Sequence, residues 1–117
     1  MAKWIYNRNG RAKAILNDNS VRDENGRHRL WINGNNMYNV QGQHVGWMED
    51  GIFYDSQNHV IGFTLDRTGH LPSIPGISAT PAMPAMSGVP ATPTFGGVPG
   101  RPGTGGWSGT LLEDYIA

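Results

Sequence analysis

Apolar and turn-forming positions recur along the first seventy residues with a fixed period. The segments Ile5-Tyr6-Asn7-Arg8-Asn9-Gly10, Val21-Arg22-Asp23-Glu24-Asn25-Gly26, Met37-Tyr38-Asn39-Val40-Gln41-Gly42 and Phe53-Tyr54-Asp55-Ser56-Gln57-Asn58 each begin 16 residues after the one before. Each reads apolar, usually Tyr, then Asn or Asp, two variable residues, and Gly or Asn. This is turn chemistry: Asn and Asp hydrogen-bond the local backbone, and Gly or Asn accepts a positive φ. Ile15, Trp31, Trp47 and Phe63 each follow five residues after these turn ends. A second set of turns comes next, at Asn17-Asp18-Asn19, Asn33-Gly34-Asn35 and Glu49-Asp50-Gly51, and Asp66-Arg67-Thr68-Gly69 closes the run. Turns at this spacing with short apolar runs between them predict an all-β meander of short antiparallel hairpins over residues 1–70.

Period-two alternation assigns the faces. It places His28, Leu30 and Ile32 on one side and Arg27, Arg29 and Trp31 on the other, with Val45 and Trp47 sharing the face of Arg29 and Trp31. The later units, with Val60, Ile61 and Phe63, are apolar on both sides. Strands of that kind need cover on both faces, which short hairpins do not supply alone. The cover has to come from the tail or from another subunit.

A second repeat begins after residue 70. Pro72, Pro75, Pro81, Pro84, Pro90, Pro93, Pro99 and Pro102 are spaced 3, 6, 3, 6, 3, 6, 3 and divide residues 71–106 into four nonapeptides. A three-residue spacing puts successive proline rings on one edge of a polyproline II helix. The fourth and seventh positions hold Ile74 and Ile77, Met83 and Met86, Thr92 and Phe95, Arg101 and Thr104. Such a stretch is either a flexible linker or a strand that packs through its Ile and Met side chains; partial order is expected. In residues 107–117, Trp107, Leu111, Leu112, Tyr115 and Ile116 approximate one helical face and Ser108 is a candidate cap. This end is expected to dock on its own hairpins or on a neighbouring subunit.

Composition narrows the chemistry. The chain of 117 residues has no cysteine, 17 Gly and 8 Pro. Disulfides, thiolate metal sites and cysteine nucleophiles are excluded, and a small domain with no such staple leans toward oligomerisation. The formal net charge is zero. A basic set of Arg11, Lys13, Arg27 and Arg29 near Trp31 has the makings of a phosphate contact, but interleaved acidic turns favour a solvated face, and no nucleic-acid partner is assigned. Met1-Ala2-Lys3-Trp4 lacks the apolar run of a signal peptide and no stretch reaches the length of a membrane span. The expectation is a cytoplasmic protein with no membrane partner.

No phosphate-binding glycine loop, nucleophile elbow or metalloprotease pair is present. His28 and His44 occupy equivalent repeat positions, but two aligned histidines fall short of the three or four ligands a metal needs. No metal and no cofactor is assigned. Asp23-Glu24, Glu49-Asp50 and Glu113-Asp114 are adjacent in sequence, a poor arrangement for paired acid–base work. The chain reads as not an enzyme. The recurring aromatics are first a packing feature and second a ligand surface; on the second reading Trp31, Trp47, Met48 and Phe63 are the lining residues.

The run Trp4-Ile5-Tyr6-Asn7 through Gly10-Arg11-Ala12, the pairs Gly46-Trp47 and Gly62-Phe63, and the terminal Gly106-Trp107-Ser108 resemble the bacterial fourfold β-flower proteins. The Gly-aromatic pairs are also similar to cell-wall-binding hairpin repeats, which are exported proteins. The β-flower resemblance implies a homotetramer about a fourfold axis with an apolar central channel and carries no catalytic residues. Three functional expectations follow: binding of an elongated apolar or polyether-like ligand in a central or inter-subunit channel; a scaffold or adaptor whose proline repeats recruit a protein partner; and a polysaccharide-binding module.

Overall fold

The computed structural model describes residues 2–117. Eight strands follow one another in the chain: β1 (Ala2–Tyr6), β2 (Ala12–Asn17), β3 (Ser20–Asp23), β4 (His28–Asn33), β5 (Asn36–Tyr38), β6 (His44–Glu49), β7 (Ile52–Tyr54) and β8 (Val60–Phe63). Each pairs antiparallel with its neighbours, and β8 pairs with β1, so the meander closes into a barrel. A single helical turn, α1 (Leu112–Tyr115), ends the chain.

The turns explain the repeat. Asn7 Oδ1 accepts the backbone N–H groups of Asn9 and Arg11 at 2.9 and 3.1 Å. Asp23, Asn39 and Asp55 do the same for the N–H groups two and four residues on. Gly10, Gly26, Gly42 and Asn58 complete these tips with φ between 63° and 86°. At the other end of the barrel, two-residue turns at Asp18-Asn19, Gly34-Asn35 and Asp50-Gly51 join the strands, and Asp18, Gly34 and Asp50 have positive φ. Asn, Asp and Gly are the residues that tolerate such turns.

Every repeat also carries a β-bulge. The register shifts at Ile5/Tyr6, Val21/Arg22, Met37/Tyr38 and Phe53/Tyr54, and the unpaired residues opposite are Lys13, Arg29, Val45 and Ile61. This corrects the alternation expected for the second and third units. His28 lies with Trp31, ring centroids 4.4 Å apart, while Leu30 and Ile32 join the interior. Likewise Val45 packs toward the interior and Trp47 does not. One extra residue per strand flips the faces before the bulge relative to those after it.

Side chains fill the barrel, as expected for eight strands. Across the inner face Ile5 pairs with Ala14, Val21 with Leu30, Met37 with Gly46 and Phe53 with Gly62. The largest side chains stand opposite glycine, and a Cβ on Gly46 would lie 3.0 Å from the Met37 methyl and 2.2 Å from the Tyr54 carbonyl oxygen. Helix α1 sits over the mouth at the tip-turn end: Leu112 and Ile116 are buried in the same core, Tyr115 hydroxyl donates to the Val45 carbonyl, and Asn7 Nδ2 donates to Glu113 at 3.1 Å. The interior is therefore a packed core closed by a plug and not an open channel within the chain. The expected helical face is also divided. Trp107 stays outside against Phe63, and Ser108 Oγ takes the Thr110 N–H and does not cap the helix.

Candidate functional site: the proline girdle and the surface beneath it

Residues 71–106 have no regular secondary structure but follow the outside of the barrel. Ser78, Ser87, Gly96 and Gly105 donate their backbone N–H groups to the carbonyls of Gly10, Gly26, Gly42 and Asn58, at 2.9, 3.1, 2.8 and 3.3 Å. The donors are nine residues apart and the acceptors 16, so one nonapeptide serves one hairpin. The two arrays are in step around the barrel, and the segment forms a girdle.

Local chemistry sets this register. A positive φ turns each tip carbonyl outward, and glycine leaves room for the girdle to approach. A Cβ on Gly10, Gly26 or Gly42 would come within 1.9–2.2 Å of the carbonyl oxygens of Gly76, Ala85 and Thr94. The fourth tip solves the same problem with a side chain. Asn58 Nδ2 donates to Pro102 O and Thr104 Oγ1 at 2.8 and 3.3 Å, and its Oδ1 accepts from Arg101 Nε at 2.9 Å. Asn at this position was legible as a positive-φ residue; its second role as a girdle clasp was not.

One position per repeat, Tyr6, Arg22, Tyr38 and Tyr54, grips the girdle differently each time. Tyr6 hydroxyl shares a hydrogen bond with Thr80. Arg22, only 3% exposed, donates to Gly26 O and Ser87 O at 2.8 and 2.6 Å. Tyr38 stacks on Phe95 at 4.4 Å. Tyr54 and Trp47 lie beneath the Arg101 guanidinium, 4.8 and 5.7 Å from it, in cation–π contact. The girdle ends at a latch: Val60 and Trp107 form a parallel bridge, and Trp107 Nε1 donates to Ser73 at the girdle's own start, at 2.9 Å.

Trp31, Trp47 and Phe63 take equivalent places on the outer face, one per repeat, opposite Tyr38, Tyr54 and Tyr6 of the next strand. All three are buried. Met48 lies on the other side of the sheet, packed against the barrel interior. The structure thus does not bring the four expected lining residues to one surface, because three serve the outer core and one the inner. The cover that the two-faced apolar strands require comes from this same chain, through the plug inside and the girdle outside. The girdle uses Met86 and Phe95 for it, whereas Ile74, Ile77 and Met83, expected to pack, point out.

The second repeat holds an unusual polar cluster. Both ring nitrogens of His28, Nε of Arg22 and Nε1 of Trp31 are buried without a hydrogen-bond partner, as is Nδ1 of His44. Burial lowers the His28 pKa below its ordinary value and the Arg22 charge adds to the effect; burial alone lowers that of His44. Both histidines are held toward the neutral form. At the helix end, burial works against the Asp23 carboxylate, but the N–H groups of Arg27 and Asn25 and the Arg29 guanidinium outweigh it and keep its pKa low. Among the described residues no three His, Asp or Glu side chains stand together as a metal would require, and no helix is long and apolar enough to cross a membrane.

The girdle's outer edge is apolar. Ile74, Ile77, Met83, Val89 and Val98 are all at least 40% exposed, and the only other large hydrophobics so exposed among the described residues are Val40 and Leu65. Sequence reasoning treated these positions as linker or core, because the period does not say which edge of the strand faces in.

These features define an all-β class: a closed eight-stranded meander of four hairpin repeats whose fourfold order lies within a single chain. The family model described as 4-fold beta flower protein matches residues 3–116, and the chain belongs to that family. No curated protein and no solved structure matches it.

Proposed function

We propose that the chain is a non-catalytic recognition module that displays an ordered, proline-ribbed apolar edge to a protein partner. The exposed row of Ile74, Ile77, Met83, Val89 and Val98 on a girdle hydrogen-bonded to every hairpin tip carries this reading. Exposed large hydrophobic side chains concentrated in one segment are candidate anchors for a partner, and extended proline-containing strands dock into aromatic-lined grooves. A strand already fixed to a barrel has little ordering entropy left to lose on binding. Recruitment then works through a rigid hoop, not a flexible tail. A photo-crosslinking residue placed at Met83 or Val98 in the full chain should trap one partner, and trapping should fade with Val89→Ser. The same probe at Asn35 on the opposite rim should trap nothing; equal labelling at both rims would sink the proposal.

A second reading gives this edge to copies of the chain. Four barrels meeting through their girdles would form the tetramer, and the apolar channel for an elongated or polyether-like ligand would then run between subunits. The same exposed row supports it. Light scattering on the full chain separates the two: about four times 12.7 kDa favours assembly, monomer mass favours the partner. Polysaccharide stacking on Trp31, Trp47 and Phe63 has less support, since their faces are covered.

A further inference from the structure

Between the first two hairpin tips the girdle leaves a cavity of about 550 Å³ against the barrel. Trp4, Arg11, Ala12, Lys13 and Glu24 form its barrel side and Pro81 is among the girdle residues across it. That volume falls within the usual range for small-molecule sites.

The repeat itself explains the hollow. The outward position held by Ala12 is held by His28, His44 and Val60 in the other three units, each paired in the same register with Arg22, Tyr38 and Tyr54 as Ala12 is with Tyr6. A ring or a branched side chain fills the space in those units and a single methyl does not. The walls are chemically distinct. Lys13 Nζ is 3.3 Å from Glu24, so that pair largely neutralises itself. The Arg11 side chain has no hydrogen bond or ion pair among the described residues. A guanidinium with no partner of its own, lining the same hollow as an indole and a proline ring, suits a carboxylate, sulfonate or phosphate at one end and an apolar body at the other.

We infer that this hollow is a binding site for a small organic anion with an apolar, ring-sized body. It lies behind the girdle and is separate from the outer edge assigned to a partner. Arg11 holds the charge, Trp4 and Pro81 flank the body, and Ala12 makes the room.

The dye 8-anilinonaphthalene-1-sulfonate has this chemistry and reports its own binding by fluorescence. With the full chain at pH 8 it should titrate to one saturable site. Arg11→Gln, a surface change that leaves the fold alone, should weaken binding about tenfold, consistent with loss of one charge-assisted contact. Ala12→His installs the residue that two other repeats already accept there and should abolish binding. Leu65→Ser, in a separate apolar hollow on the other side of Trp4, and Met83→Ser, on the outer edge, should change nothing. Absence of a saturable site, or binding that ignores Arg11→Gln and Ala12→His, would overturn the inference. So would binding that falls only with Leu65→Ser or Met83→Ser.

Discussion

The barrel and the girdle are both fourfold repeats, yet they are held by different forces. In the barrel each strand has a backbone ladder on both sides and apolar packing on both faces. In the girdle the first three nonapeptides each make one main-chain bond to a tip and otherwise depend on side-chain grips, and only the fourth adds a second main-chain bond, from Val60 N–H to Gly106 O at 3.0 Å. Nine extended residues span roughly 28 Å at the polyproline II rise, whereas two strands of sheet occupy roughly 10 Å. The surplus length lets the girdle run outside the barrel and dip onto its face, as at Thr80 over Tyr6. A periodic scaffold thus imposes its angular step on a second strand of unrelated period, provided the contact points are backbone groups. Side chains vary freely between repeats, as Tyr6, Arg22, Tyr38 and Tyr54 show; tip carbonyls do not.

The sharpest way to break that comparison is to attack the barrel where the chain's end plugs it. Leu112, 1% exposed, is in the inner core. Leu112→Ala should cost about 2–5 kcal/mol, read as a lower urea midpoint with girdle and barrel lost together in one transition. A girdle that melts first would show that the plug serves the tail and not the core.

The next test separates the two layers with one residue type. Gly26 and Gly34 both have positive φ. An added Cβ would lie 2.2 Å from Ala85 O at Gly26 and meet nothing within 4 Å at Gly34. Gly34→Ala should cost about 1 kcal/mol from backbone strain alone. Gly26→Ala should cost that and also lift the girdle, exposing the Met83–Val89 stretch to limited proteolysis while the strands keep their circular dichroism. Equal protease resistance in the two variants would mean the girdle is not seated through the tips.

The smallest effect concerns pH. The folded-state pKa of His28 lies below the ordinary histidine value of 6.5, so the folded chain binds fewer protons than the unfolded one as pH falls past that value. Stability contributed by the neutral ring is present above pH 6.5 and is lost progressively below it. Because Arg22 sits beside His28 and clasps Ser87, the loss should appear first as girdle release. His28→Gln should flatten the acid side of the stability profile; an unchanged slope would remove His28 from the explanation.

Much of this fold is visible in the primary structure and much is not. The Asn7, Asp23, Asn39 and Asp55 turns were legible because their hydrogen bonds close within four residues. Bulges at Lys13, Arg29, Val45 and Ile61 were not, since an unpaired residue exists only relative to the partner strand. That extra residue is why strict alternation puts His28 with Leu30 and Val45 with Trp47, and the folded sheet does not. Trp31, Trp47 and Phe63 were legible as a recurring set, but their position beneath the girdle depends on contacts with residues far along the chain. Met48 was grouped with them by proximity in sequence, and the pleat sends it to the opposite side. The hollow at Ala12 had a signal that went unused: the only small residue in a column of His, His and Val.

By itself the sequence determined two repeat lengths, the turn at every hairpin tip, the extended form of the tail and the lack of cysteine chemistry, all of which rest on interactions between near neighbours. Tertiary structure decided that the meander closes on itself through Tyr6 and Phe63, that fourfold order fits inside one chain, and that the tail encircles the barrel in step with its tips. Those outcomes depend on closing long loops and on which face of each strand finds cover. Period alone does not encode them, since the same alternating pattern serves an open sheet, a barrel or a subunit interface until the partners meet.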